Sequence, residues 1–426
     1  MINVIFSKKI FVCLLPVLFL IYPLLIGCQI DSNNSPTPTP TPVPTQTATT
    51  TATATPTSGV HSWEILSLND IPSNVTGGVI WINMLQATAT DPLVLVIGAS
   101  SATGQSVYAF KEDDGSWTDI SEAAPPRLYS NSGSLVSSIT PVGEPIYWYQ
   151  GPDLTIGQSQ VRTCTGNPSA WVIKGSSPAP STSVGEYRYL YFTTTGTPRI
   201  LYQKAQWSTD HYVQNLYLRE FTSDWGVPAG VPDPIAAPGN QAQIPKIRAA
   251  DGPNGELHIV IFYTPDNTTA TLQYYRWDGT LTGPENIAAT NLDGVIAIAV
   301  NPVDSQPYVI TEDVGTSTTR TLSAYRHTAT GWQLVGASAS LSRTIYNNSS
   351  VDLAFTADGT LWAGTQTSST ALSIFRYSSA WEEYTWTAAN TINYKGMALV
   401  KDGRVCLFAR PTSSGSPVNV VYLDTW

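Results

Sequence analysis

The stretch Val351–Trp386, VDLAFTADGTLWAGTQTSSTALSIFRYSSAWEEYTW, decides the fold. Short apolar runs alternate in it with turn-forming clusters: Asp358-Gly359, then Thr367–Thr370, then Ser378–Ala380. Runs rich in aromatic and β-branched residues, bounded by Gly, Ser and Asp, read as strands. The stretch therefore reads as three strands and the start of a fourth. Weaker copies of the unit extend back to about residue 62.

Three columns define the repeat. The first is a Trp opening the last strand: Trp63, Trp117, Trp171 and Trp225 stand 54 residues apart, and Trp332 and Trp381 continue the series. One copy has Gly279-Thr280-Leu281 where its Trp should be. The second column lies in the third strand, where Leu272–Trp277, Leu322–His327 and Leu372–Tyr377 align without gaps and share Arg276, Arg326 and Arg376. The third is a turn between strands one and two, Asp358-Gly359, repeated as Asp402-Gly403 and Asn254-Gly255; such pairs favour a two-residue hairpin.

First strands are expected near Val79–Leu85, Leu135–Thr140, Tyr187–Phe192, Ile244–Ala249, Val295–Val300, Val351–Phe355 and Met397–Val400. The last unit has three strands before the chain ends at Trp426, and His61–Leu68 has no unit of its own. An open array would leave an exposed edge or need a cap. A ring closed by a blade shared between the two ends has neither problem. The expectation is an all-β fold: a seven-bladed β-propeller of four-stranded antiparallel blades over 61–426, closed by strand 61–68. The motif Asp358-Gly-Thr-Leu-Trp-Ala-Gly-Thr365 resembles the repeats of two-component-sensor propellers. Gly255-Glu-Leu-His-Ile-Val-Ile-Phe-Tyr263 is similar to the repeats of sialidase-type, BNR-like propellers. Asp113-Asp-Gly-Ser-Trp117 matches the Asp-box of that family only in part, so the resemblance implies fold and no activity.

Composition limits the function classes. Charged residues are 12% of the chain, about half the usual share. The formal charge is −10, and the segment Met1–Gly27 contributes Lys8 and Lys9 with no acid. An acidic chain without a basic run is unsuited to neutralising phosphates, so no nucleic-acid partner is expected. Cys13 and Cys28 fall in the N-terminal segment. Cys164 and Cys406 occupy different repeats and strand positions, which reads as two buried small hydrophobes.

At the N-terminus, Lys8-Lys9 precede the apolar run Ile10–Ile26 and then Gly27-Cys28, the layout of an export signal. Leu25-Ile-Gly-Cys28 resembles the lipobox of bacterial lipoproteins. That resemblance implies cleavage after residue 27 and lipid on Cys28, which would anchor the protein to the outer side of the bacterial cell membrane. Residues 28–60 carry a Thr-Pro alternation with almost no large apolar side chain. Such a segment cannot offset the entropy of ordering and favours extended conformations, so it reads as a disordered tether. The domain order is thus signal peptide 1–27, tether 28–60, propeller 61–426.

Candidate binding residues come from the loops expected at one end of the ring, those joining strand four to the next strand one and strand two to strand three. Tyr129 and Asn131, Tyr346 and Asn348, and Tyr394 and Lys395 recur before first strands. A tyrosine ring offers a flat apolar face and an amide offers donors and acceptors, which suits a sugar or peptide. Trp207, Asp210 and His211 fall in an expected second-to-third loop of the third unit, where an exposed Trp beside Asp and His would suit a sugar platform. The sequence has no nucleophile elbow, zinc-protease helix motif or paired-cysteine motif, and only four His, so neither metal nor cofactor is expected. Three functions stay open. One is a monomeric surface propeller that binds an extracellular glycan, peptide or protein. Another is a carbohydrate-active enzyme, hydrolase or lyase, with paired carboxylates. The third is a structural subunit of an envelope complex.

Overall fold

A sheet that stands between two others must be apolar on both covered faces and polar where its outer strand meets water. The protein, seen in a computed structural model, follows this rule. The structure describes residues 63–423 except 68–78, 89, 102–103, 114–115, 129–134, 150, 152–159, 165–169, 176–187, 209–210, 242–245, 265–269, 288–291, 315–319, 337–340, 344–350, 390, 400–404 and 412–418; at some strand residues it describes the backbone alone. In the opening stretch, Leu361–Gln366 is buried at every position. The central residues of Ala371–Tyr377 are buried too. The outer strand Trp381–Thr387 buries only Trp386 fully.

Among the described residues the strands form seven antiparallel sheets, each with a first-to-fourth strand order. We number these blades by their first strands: Val79–Leu85, Leu135–Ile139, Arg188–Phe192, Lys246–Asp251, Leu292–Val300, Val351–Phe355 and Ile392–Leu399. Trp63–Ser67 is the fourth strand of blade seven. It pairs with Asn419–Leu423, with Trp63 opposite Leu423 and Ser67 opposite Asn419.

The hydrophobic clusters lie between blades. Tyr191, Leu201 and Leu218 of blade three meet Ile247, Ile259 and Trp277 of blade four. Cys406 and Phe408 of blade seven meet Ile82, Leu95 and Ile97 of blade one. Equivalent clusters join blades one to two, two to three, four to five, five to six and six to seven. First strands of successive blades touch, including that of blade seven with that of blade one. With each buried aliphatic side chain contributing about 1.5–3 kcal/mol, every blade depends on its neighbours for stability. Four-stranded antiparallel blades packed face to face in this way make a β-propeller.

The Trp column is part of this packing. Trp117, Trp171, Trp225, Trp332 and Trp381 each pack against the cluster shared with the preceding blade. Two of them also bond across the boundary: the indole N–H of Trp171 donates to the Ile120 carbonyl at 2.6 Å, and that of Trp225 to the Lys174 carbonyl at 2.7 Å. Both acceptors directly follow the preceding blade's fourth strand, so the ring and its N–H together tie one outer strand to the next.

The Asp-Gly and Asn-Gly turns differ from the expected two-residue hairpin. In blade six, Gly359 N–H bonds to Thr356 O and Thr356 N–H to Thr360 O, with Gly359 at φ +84°. That is a three-residue loop ending in a left-handed glycine, which the same Asp-Gly dipeptide satisfies equally well. Thr140–Glu144, Thr193–Thr197 and Gly252–Glu256 repeat the pattern with Gly143, Gly196 and Gly255. In blade five one more residue is inserted and Ser305 takes the positive φ, at 56°. These turns abut from blade to blade: a β-carbon on Gly255 would stand 3.3 Å from Thr194 Cγ2, and one on Gly359 3.0 Å from Val303 Cγ2.

Two further features lie outside the plain repeat. Short strands Arg127–Leu128, Ala236–Gln241 and Leu341–Arg343 return along the third strands of blades one, three and five. In blade three, the second and third strands, Pro198–Ser208 and His211–Phe221, are eleven residues each and remain paired up to Ser208 opposite His211. Cys164 and Cys406 are buried and unbridged.

Candidate functional site: a cleft between blades three and four

The cleft lies where the repeat loses its Trp. In blades three, five and six the last strand's Trp meets an aromatic ring at the end of the third strand: Phe221 with Trp225 at 5.4 Å, His327 with Trp332 at 5.2 Å, Tyr377 with Trp381 at 5.0 Å. Blade four inverts the sizes. Trp277 ends its third strand and Leu281 faces it in the fourth. The bulky ring is therefore displaced by one strand, and a polar cavity of about 670 Å³ opens at this end of the blade boundary. Its walls are the Thr193–Thr197 turn, Arg199 and Glu220 of blade three, and Asn254–Glu256 and Arg276–Gly279 of blade four.

Arg199 and Glu220 form the centre of one wall. They are directly opposed on adjacent strands. Arg199 Nε and Nη2 both approach Glu220 Oε2, at 2.6 and 2.5 Å. The guanidinium also lies 4.3 Å from the centroid of Trp277, reaching across the blade boundary. Stacking on an indole while pairing with a carboxylate uses both the face and the edge of arginine, which lysine cannot reproduce. The Trp277 ring is buried, and its indole nitrogen has no hydrogen-bond partner among the described residues.

On the same boundary, the Tyr189 hydroxyl bonds to Asp251 Oδ1 at 2.5 Å, and burial followed by the Asp251 charge pushes that phenol well up. The rim is lined by hydroxyls, with Thr193 Oγ1 2.8 Å from Thr195 Oγ1 and accepting from the Thr197 N–H at 2.9 Å.

Glu256 closes the blade-four side. Its carboxylate is folded back over its own turn, where Oε2 accepts the Asn254 N–H at 3.0 Å. A β-carbon at Gly252 would fall 2.3 Å from Oε1, so only glycine leaves room for it. Behind it, His258 Nε2 stands 3.6 Å from Glu256 Oε1 while Nδ1 is 2.6 Å from the Tyr274 hydroxyl. Burial outweighs the Glu256 charge and, with smaller contributions from Arg276 and His327, lowers the His258 pKa to about 4. The imidazole is neutral at pH 7. Arg276 pairs with Asp278 at 3.2 Å on the exposed lip.

The residues lining this cleft are not those the sequence put forward. Tyr129, Asn131, Asp210, Tyr346 and Asn348 lie outside the described residues. Trp207 and His211 are not in a loop: they belong to the long paired strands of blade three. Tyr394 and Lys395 likewise fall inside the first strand of blade seven, Ile392–Leu399, which starts before the expected Met397 because its pairing runs through a bulge at Tyr394/Gly396 to Ile392 opposite Pro411. The side chains of these four are outside the described set. The expected loops join strand two to three and four to one, whereas the cleft lies at the opposite end of the blades, among the other turns. The Arg column is structural in blades five and six, where Arg326 pairs with Asp304 at 2.6 Å and Arg376 with Glu382 at 3.7 Å. Arg276 alone of the three also borders the cleft. Among the described residues no group of three or more His, Cys, Asp or Glu is placed to hold a metal.

No protein-family model matches this sequence, and no curated protein does. Solved structures do match. A polysaccharide lyase, Uly1, is similar over 80% of this chain and 89% of its own at 9% identity, with a TM-score of 0.50. An α-L-arabinanase of Penicillium chrysogenum complexed with arabinobiose aligns over 68% of this chain and 92% of its own, at 14% identity and TM-score 0.43. The lectin of Aleuria aurantia, a six-bladed β-propeller, aligns over 74% of this chain and 96% of its own, at 13% identity and TM-score 0.41. At these identities the likeness concerns the fold alone.

Proposed function

We propose that this protein is a seven-bladed propeller, lipid-anchored through Cys28 on the outer side of a bacterial cell membrane, that binds an extracellular ligand without transforming it. The seven sheets and their cyclic contacts support the blade count. Signal and lipobox support the anchor. Replacing Cys28 with Ser should abolish labelling by a fatty-acid probe, and retained label would refute the anchor.

The observation that carries the binding reading is the state of the cleft's carboxylates. Glu220 is committed to Arg199, and Glu256 to the Asn254 N–H in its own turn. An acid–base pair for glycoside hydrolysis needs two carboxyls free to exchange protons with substrate or water. These two are bonded as framework, which suits a preformed recognition surface. The enzyme reading stands second, because Glu220 and Glu256 do line one cavity. A glycan and peptide array probed with the full chain in detergent separates the two when run beside a product assay on soluble polysaccharides. Saturable binding with unchanged ligand is the expected result. Turnover of a polysaccharide without binding to any array member would overturn the proposal.

A further inference from the structure

Resting on the binding reading, we infer that the cleft between blades three and four is a site for a neutral sugar, held through adjacent hydroxyls by the Arg199–Glu220 pair.

The first ground is charge. Arg199 is neutralised by Glu220, and Arg276 by Asp278. Glu256 is 4% exposed and already holds its turn. An anionic ligand would meet no cation among these residues whose charge a carboxylate does not already balance. A cationic ligand would meet at Glu220 a carboxylate that Arg199 already balances. Either would bring an unbalanced charge into the cavity and gain little after desolvation. A neutral polyol brings no charge to balance.

The second ground is hydrogen-bond geometry. A guanidinium is donor-only and a carboxylate acceptor-only. Both Nε and Nη2 of Arg199 are directed at one oxygen of Glu220, so the pair itself uses neither Glu220 Oε1 nor the other guanidinium nitrogen, Nη1. Donors and acceptor thus lie side by side. Two vicinal hydroxyls, each able to donate and accept, match that order: one accepts from Arg199 and the other donates to Glu220.

The third ground is the lining: Trp277 borders the cavity as an aromatic support beneath the Arg199 guanidinium, 4.3 Å from its centroid. The threonine rim adds further hydroxyls to the same cavity. The cavity, at about 670 Å³, accommodates a mono- or disaccharide.

The test is titration of the full chain in detergent with methyl glycosides of neutral hexoses, pentoses and deoxyhexoses, with a uronate and an amino sugar as charged counterparts. Tryptophan fluorescence and calorimetry are the readouts. The proposal expects a neutral glycoside to bind and the charged ones to bind at least roughly tenfold more weakly. Glu220→Gln, Arg199→Lys and Trp277→Phe should each weaken binding by roughly tenfold or more, the loss of one charge-assisted bond or one stacked support. Glu382→Gln, which breaks a similar surface pair in blade six, should leave it unchanged. Because a cleft variant could lose affinity by unfolding, its thermal transition is recorded beside the titration, and Glu220→Asp should restore part of the binding. Saccharide binding indifferent to all cleft variants overturns this inference while leaving the binding reading intact. A uronate or amino sugar as the preferred ligand also overturns it. Saccharide turnover without binding overturns the binding reading itself.

Discussion

His258 makes the fold sensitive to acid in a way that can be worked through. The ring is 2% exposed, and burial lowers its pKa to about 4, against about 6.5 in an unfolded chain. Between those values the unfolded state binds a proton that the folded state refuses, so stability rises with pH across that window and falls as acid is added. The contribution is complete above pH 6.5 and is lost as pH falls towards 4, where the loss amounts to about 3 kcal/mol. Carboxylates elsewhere titrate over the same range, so wild type alone cannot isolate the effect. His258→Gln can. The variant keeps a polar group opposite Tyr274 but carries no titrating ring. Urea unfolding of both proteins from pH 4 to 8 should give a stability difference that is constant above pH 7 and shifts by about 3 kcal/mol towards the variant by pH 4. Parallel pH profiles would refute the assignment. So would a midpoint near 6.5 for the His258 ring protons in NMR.

Other perturbations probe the framework. Trp225→Phe removes the indole bond to the Lys174 carbonyl and part of the ring's packing, and should cost about 1–3 kcal/mol in chemical unfolding; an unchanged midpoint would show that the bond contributes nothing. Gly255→Ala should destabilise by about 1–2 kcal/mol, because φ is +82° and Thr194 of the preceding blade is close, whereas Gly226→Ala, with open space around it, should be near neutral. Equal effects at the two glycines would contradict the abutting-turn description. Deleting residues 61–68 strips blade seven of its outer strand at about 1 kcal/mol per ladder hydrogen bond, and should lower the thermal midpoint clearly; a deletion that melts like the parent would refute the shared blade.

The architecture was legible because the repeat is written in backbone terms. Asp358-Gly359 and Asn254-Gly255 mark a left-handed position, and the Trp column marks one strand of every blade but the fourth. Strand limits were less exact where pairing outruns apolar character, as at Asn393 and Tyr394, or at the polar Lys204–Ser208. The cleft was legible only as a gap. Leu281 in place of Trp announced an irregular blade boundary but not what would fill it. Arg199 stands where His258 and Trp362 stand in their blades, three residues after the turn glycine, yet nothing local says that its partner is Glu220, twenty-one residues on. That pairing depends on register across a long hairpin, which spacing does not determine. The turn carboxylate Glu256 looks like any solvent-facing acid until Gly252 is seen to make room for it.

The pairing of Trp63–Ser67 with Asn419–Leu423 also orders events in time. The strand that leaves the ribosome first among those described can take its place only after the last one exists. At roughly 5–20 residues per second, that delay is on the order of 20–70 s. Through that interval the partial ring has an unmatched opening at each end, and its final closure is the contact of greatest sequence separation, the kind that forms slowest. A chain with this layout therefore has a long vulnerable adolescence. Its exposure to proteases and to neighbouring unfinished copies is set by the clock of synthesis rather than by the stability of the finished ring.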